Sequence, residues 1–163
     1  MKKEIREKLR QIPLFEEIKE NDAHLKELQD ICRLKSASAG EFLIKEGDIG
    51  DEMFIVFSGG VEIRKQTRAG DDYTVVRLDA DQNVFFGELA LIDDDKRSAT
   101  VIASRDSSFL VIKKTDFLNL AKRNPQICLP ITLAISKILS ARLRKTTDDM
   151  LTIFDALVNE IKG

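Results

Sequence analysis

Residues Gly40–Ile63 read "GEFLIKEGDIGDEMFIVFSGGVEI". Short apolar stretches, "FLI" and "MFIVF", are cut by "EGDIGD" and "SGG". Both cuts carry glycine, which supplies the backbone shapes that tight turns require. Val61 and Ile63 alternate with Glu62 and Arg64, so their strand has one wet face. The rhythm continues in both directions, from about residue 34 to residue 113. "EFLI", "EMFIVF", "VEIRK", "YTVVRL", "SATVIA" and "SFLVIKK" read as strands, and "RAGDD" as a further turn. Six of the eight glycines (Gly40, Gly47, Gly50, Gly59, Gly60 and Gly70) fall at these breaks. Many short strands with punctuating turns predict an all-β sandwich or barrel.

On either side the period becomes helical. In residues 1–33, Ile5, Leu9 and Ile12 recur at helical spacing until Pro13 closes the segment. Asn21 is placed to cap a second helix that carries Leu25, Leu28, Ile31 and Cys32 on one face. After Thr115, "TDFLNLAKR" reads as a short helix ending before Pro125. A long helix then takes Pro130 in its first turn and runs to the end of the chain. Leu139, Leu143, Thr146, Met150, Ile153 and Leu157 step along it by four and three, an a/d seam with one polar position.

The composition narrows the function. The chain has 163 residues, enough for one domain with a core, and a net charge of −2. Nothing in that charge attracts nucleic acid or an anionic membrane surface. The longest uninterrupted apolar run, "MFIVF", is far too short to span a bilayer, and the charged N-terminus has no signal core. A cytoplasmic protein is expected, with Cys32 and Cys128 both reduced, since two cysteines make no disulfide framework.

The chemistry concentrates in "FGELALIDDDKRSATV", Phe86–Val101. A strand end, Gly87 and a short helical run precede a lone arginine. A helix start offers free N–H groups to an anion. Arg97 supplies a planar fork suited to phosphate, with the Ser98 hydroxyl beside it. Glu88, when ionised, only accepts hydrogen bonds, so it suits sugar hydroxyls. Together they describe a small pocket for a phosphorylated sugar. The plainer reading is a surface ion pair between Glu88 and Arg97, worth under about 1 kcal/mol.

The string "FGELALI", four further residues and then "RSATV" resembles the phosphate-binding cassette of the cyclic nucleotide-binding domain family. Bacterial cyclic-AMP receptor proteins and the regulatory subunits of cyclic-AMP-dependent kinase belong to that family. The resemblance covers roughly residues 14–157 and includes Gly40–Ile63. It implies a mainly β fold, a β-roll (jelly-roll barrel) at 34–113, with N-terminal helices at 1–33 and C-terminal helices at 115–161, in a single domain over 1–163. It implies that Arg97 and the N–H of Ser98 or Ala99 hold a cyclic phosphate. Glu88 and the Gly87 carbonyl would take the ribose 2′-hydroxyl, and Phe86, Leu89 and Ala90 would line the pocket. The chain departs from the family in having Ser38 near a usual proline and Asn83 near a usual glycine, and in a longer "LDADQNV" before the cassette.

The phosphate and ribose contacts do not name the base. A hydroxyl at Ser98 resembles both cyclic-GMP-selective domains and bacterial cyclic-AMP receptors. "ARLRKTTDDM" resembles the dimer helix of those receptors, so Arg142 would lie over the ligand and Thr146 and Thr147 would read the adenine amino group. Solvated helix surface is the alternative for the two threonines. The reading is a cyclic-AMP sensor, with cyclic GMP as the other candidate ligand, that is a homodimer through the long helix and catalyses nothing. A fold that ignores nucleotides and serves as an interaction module is the rival. The chain stops just beyond the seam, so no DNA-binding module is expected in it, nor a membrane segment. "DDDK" at Asp93–Lys96 lacks the ligand alternation of a calcium loop, and a cupin-type metal site wants several histidines where this chain has only His24. No metal is expected.

Overall fold

The computed structural model describes residues 1–67, 70 and 72–162; Arg68, Ala69 and Asp71 of the expected "RAGDD" turn lie outside them. The strands are β1 (Cys32–Ala37), β2 (Phe42–Ile44), β3 (Glu52–Ser58), β4 (Gly60–Gln66), β5 (Asp72–Asp79), β6 (Phe85–Phe86), β7 (Thr100–Ala103) and β8 (Ser107–Lys113). They form two four-stranded antiparallel sheets, in the orders β1-β8-β3-β6 and β2-β7-β4-β5. The result is a mainly β-roll with flanking helices: α1 (Lys2–Gln11), α2 (Asp22–Asp30), α3 (Lys114–Arg123) and α4 (Pro125–Lys162).

The unbroken apolar run in β3 has a simple cause: both faces of its sheet are covered. Met53 and Ile55 of β3 join Leu110 and Ile112 of β8 in a core shared with the helices. Phe54, Val56, Phe109 and Val111 point the other way, into the roll. Each such side chain contributes about 1.5–3 kcal/mol by leaving water. Inside the roll, Phe54 stacks on Phe86 at 5.2 Å, and Phe109 stands edge-on to both rings. Gly59, at φ 81°, turns β3 into β4, and an added Cβ would lie 2.1 Å from Ser107 Oγ. Asn21 caps α2 as expected, its Oδ1 accepting from Ala23 and His24 N–H. Both cysteines are free thiols; burial pushes Cys32 up to about 12 and Cys128 up to about 11.

Three expectations need correction. Cys32 is not helical, because α2 stops at Asp30 and "CRLKSA" is the edge strand β1, paired along its length with β8. Its exposed Arg33 and Lys35 protect an open sheet edge and hide any alternation. The strand end expected before Gly87 is the two-residue β6. Pro130 lies in the second turn of α4, since the helix begins at Pro125; it leaves the Gln126 carbonyl without an intrahelical donor. Leu139 is partly buried against the helical core, so it does not belong to an open seam. Among the large exposed side chains of α4, Leu129, Leu133, Leu143, Met150, Phe154, Leu157 and Ile161 follow four-three steps, with Ser136, Ser140 and Thr147 filling the gaps. Leu151, and Ile153 of the expected seam, are exposed beside them.

α4 is long and apolar enough to cross a membrane by length and composition. Ile127, Cys128, Ile131 and Ile135 in its first half are committed to the core of the domain.

The face of β4 expected to be wet carries a compact charge cluster around Glu62, which is only 9% exposed. Glu62 accepts from Thr74 Oγ1 at 2.7 Å, Arg64 Nε at 2.6 Å and Arg77 Nε at 3.1 Å. The Thr74 bond first, then Arg64, holds its carboxyl down at about 2 against an ordinary 4.5. A carboxylate favoured in the folded state stabilises above its unfolded value, and the gain disappears as pH falls through its folded value. The melting temperature of the parent therefore exceeds that of Glu62→Gln above about pH 5, and the gap closes between about pH 4.5 and 2. Thermal melts of both proteins across that range check it; a pH-independent gap refutes the charge assignment.

Candidate functional site

The site is assembled where β6 ends. Gly87, at φ 71°, breaks the strand, and Glu88–Leu91 wind into one 3-10 turn. The helical run after the glycine is thus a single turn, short of the helix start that the sequence suggests. The Glu88 carboxylate is drawn inside and is only 3% exposed. Its partner is Arg142 of α4, whose Nη1 donates to Glu88 Oε1 at 2.8 Å. The cassette and the long helix are joined by that bond.

Arg97 approaches from the other wall. Its backbone N–H donates to the Asp48 carbonyl at 2.8 Å, its own carbonyl accepts from Gly47 N–H at 2.9 Å, and Lys96 bridges Ile49. These bonds fix the 47–50 turn against it. Gly50 leaves the guanidinium room to lie flat, because a Cβ there would meet Arg97 Nε at 2.1 Å. The guanidinium donates to the Glu52 carbonyl at 2.6 Å and to the Gly87 carbonyl at 3.3 Å. Burial lowers its pKa, opposed by Glu52, Asp51 and Glu88, and an arginine stays charged regardless. Glu88 and Arg97 make no ion pair with each other, so the surface-pair reading fails.

Between these walls lies a cavity of about 340 Å³, within the size range of small-ligand sites. Phe86, Gly87, Glu88, Leu89, Ala90, Arg97, Ser98, Ala99 and Arg142 all line it, as the sequence places them together. Sequence reasoning missed Ile44, Ile63 and Val101, inward residues of three strands whose only signal is strand alternation, and also Gly50, Asp93, Asp95 and Lys96. Thr146 and Thr147 are not in the wall. Both are exposed, beginning one turn or about 6 Å beyond Arg142, and Thr147 Oγ1 bonds back to the Leu143 carbonyl.

Chemically, Arg97 and Glu88 are the cation and the carboxylate that the cavity withdraws from water, each held by partners that can yield, while Arg142, Asp93, Asp95 and Lys96 line it from exposed positions. The Arg97 fork is spent on neutral carbonyls, and a phosphate is the stronger acceptor. If phosphate takes that fork, the Gly87 carbonyl regains a lone pair, beside the Glu88 carboxylate, for a hydroxyl donor. Among the described residues no group of three or more His, Cys, Asp or Glu is arranged to hold a metal. His24 is partly buried on α2.

Comparison with known proteins agrees with this geometry. The cyclic nucleotide-binding domain profile matches residues 34–124. A cyclic nucleotide-gated potassium channel of Rhizobium etli is 36% identical over 116 residues, covering 71% of this chain and 30% of the channel. A cAMP-dependent protein kinase regulatory subunit of Mycosarcoma maydis is 38% identical over 96 residues, 59% of this chain and 17% of that subunit. The chain thus spans under a third of either relative. Among solved structures, the catabolite activator protein of Thermus thermophilus superposes with a TM-score of 0.74 at 25% identity, covering 85% of this chain and 61% of that one.

Proposed function

The chain belongs to the cyclic nucleotide-binding domain family, and from that premise we propose that its 163 residues form one domain, a cytoplasmic sensor of cyclic AMP that binds without catalysis. The observation that carries the proposal is the cavity itself, with Arg97 in one wall and the buried Glu88 in the other. Arg97 leaves the Glu52 and Gly87 carbonyls and takes two phosphate oxygens, supported by the N–H of Ser98 or Ala99. The Glu88 carboxylate and the released Gly87 carbonyl accept from the ribose 2′-hydroxyl. Phosphate and sugar are therefore recognised together: the first contact frees an acceptor for the second. Phe86, Leu89 and Ala90 pack against the ligand. No histidine or cysteine lines the cavity to act on the bound phosphate.

The base is read from α4. Arg142 lies over the ligand, and Thr146 and Thr147 on the following turn accept from the adenine amino group. A homodimer through the exposed stripe of α4 brings that stretch into a fixed place. Cyclic GMP is the competing ligand, favoured by the Ser98 hydroxyl beside Arg97.

Thermal shift tests the reading. Cyclic AMP at about one hundred times its dissociation constant stabilises by about 2.7 kcal/mol, or about 5–11 °C for a domain of this size. Cyclic GMP gives a smaller shift. Replacing both Thr146 and Thr147 by alanine removes about 0.5–1.5 kcal/mol of the preference and leaves most of the total affinity. An unchanged preference in that variant refutes the role of α4 in reading the base, and a larger shift with cyclic GMP refutes the choice of ligand.

A further inference from the structure

Among the described residues, the hydrogen bonds from α1 to the roll come from Lys8. Its Nζ donates to the Ala80 carbonyl at 2.5 Å and to Asn83 Oδ1 at 2.9 Å. The target is the stretch "LDADQNV", whose extra length winds into a 3-10 turn at Ala80–Gln82. A capping box between Asp79 and Gln82 starts the turn, and Asn83 ends it at φ 52°, in the left-handed region. Asn83 therefore meets two demands at once. It adopts a backbone that most residues resist, and its side chain accepts the lysine. The Lys8 ammonium is partly buried to reach that acceptor, and burial lowers its pKa against the pull of Asp81.

The turn leads straight to the candidate pocket. The Val84 carbonyl accepts from Val56 N–H at 3.1 Å, and Phe85 and Phe86 pair with Ile55 and Phe54. Gly87 and Glu88 follow, four and five residues beyond Asn83. On this short, extended path a change in the turn is carried along β6 into the cavity wall. We infer that Lys8 is a positioning residue for the ligand pocket, latching α1 to the Ala80–Asn83 turn and thereby setting the place of Gly87 and Glu88. The inference rests on the nucleotide reading above for its ligand, though not for its geometry.

Two substitutions separate the latch from general stability. Asn83→Gly keeps the left-handed backbone at no steric cost and deletes only the acceptor. Lys8→Met keeps the apolar stem and deletes the ammonium. Each variant weakens cyclic-AMP binding about three- to tenfold. The double variant loses about as much as Lys8→Met alone, because Asn83→Gly deletes one of the two contacts that the lysine makes, and Lys8→Arg recovers part of the loss. Hydrogen exchange at Val84–Glu88, measured without nucleotide, quickens in all three disrupted proteins. Additive losses overturn the latch, as does a lower melting temperature with unchanged affinity and unchanged exchange. If the parent binds no nucleotide while exchange at Val84–Glu88 still quickens, the latch stands and the nucleotide reading falls.

Discussion

Arg97→Ala loses about 2–4 kcal/mol of nucleotide binding, roughly 30- to 900-fold in dissociation constant. The guanidinium is the cation proposed to meet the cyclic phosphate, and a phosphate set into this half-closed cavity without it is left poorly compensated. Arg97→Lys recovers only part of the loss, because an ammonium cannot reproduce a two-donor fork on two oxygens. Arg97 also bridges the Glu52 and Gly87 carbonyls, so its removal loosens the turn at Gly87. Both carbonyls lie beside the cavity and can turn to water, so the melting temperature falls far less than the affinity. Calorimetry beside thermal melts of the parent, alanine and lysine proteins checks the prediction. Parent-like affinity in Arg97→Ala removes the phosphate assignment.

Leu143→Asp abolishes the proposed dimer. Leu143 is 69% exposed in the single chain, in the middle of a stripe that repeats by four and three from Leu129 to Ile161. Such a stripe buries itself against a copy of itself. An unpaired carboxylate placed in that seam costs about 3–5 kcal/mol, and a two-fold interface carries it twice. Sedimentation velocity reads the outcome as a monomer. Arg142 is the neighbour of Leu143 and holds Glu88, so the same helix carries both the proposed dimer stripe and a contact with the pocket. By linkage, losing the dimer weakens nucleotide binding by about 1–3 kcal/mol. Leu157→Asp separates the two effects, since it lies about 22 Å along the helix from Arg142 and reaches the pocket only through the dimer. If either variant is monomeric yet binds as tightly as the parent, α4 is not the coupling element.

The strands that show in the sequence are those with a buried face and a glycine turn at each end, such as Glu52–Ser58 and Gly60–Gln66. β1 was invisible because only Ala37 is buried and the rest is guarded by charge. β6 shows only as a strand end before Gly87, because two residues carry no period. Pro130 misled the start of α4, since a proline in the second turn leaves one carbonyl bare and the helix tolerates that. Most of the site was legible because a single stretch, Phe86–Ala99, supplies both walls. What the sequence hid is how those residues are held. Neither the Glu88–Arg142 bond nor the two carbonyls under Arg97 follows from spacing, because the partners are 54, 45 and 10 residues away. Leu139 shows the same limit: a four-three pattern marks a helix face, and only packing reveals whether that face meets the core or open solvent.

The central claim is that the cavity between Glu88 and Arg97 takes a cyclic mononucleotide, and isothermal titration of the parent protein with cyclic AMP and with cyclic GMP tests it most directly. A ligand of this size reaches roughly 6–8 kcal/mol. The account predicts a saturable heat with cyclic AMP, one nucleotide per protomer and micromolar or tighter affinity, with weaker binding of cyclic GMP. No heat with either nucleotide at millimolar concentration would contradict it.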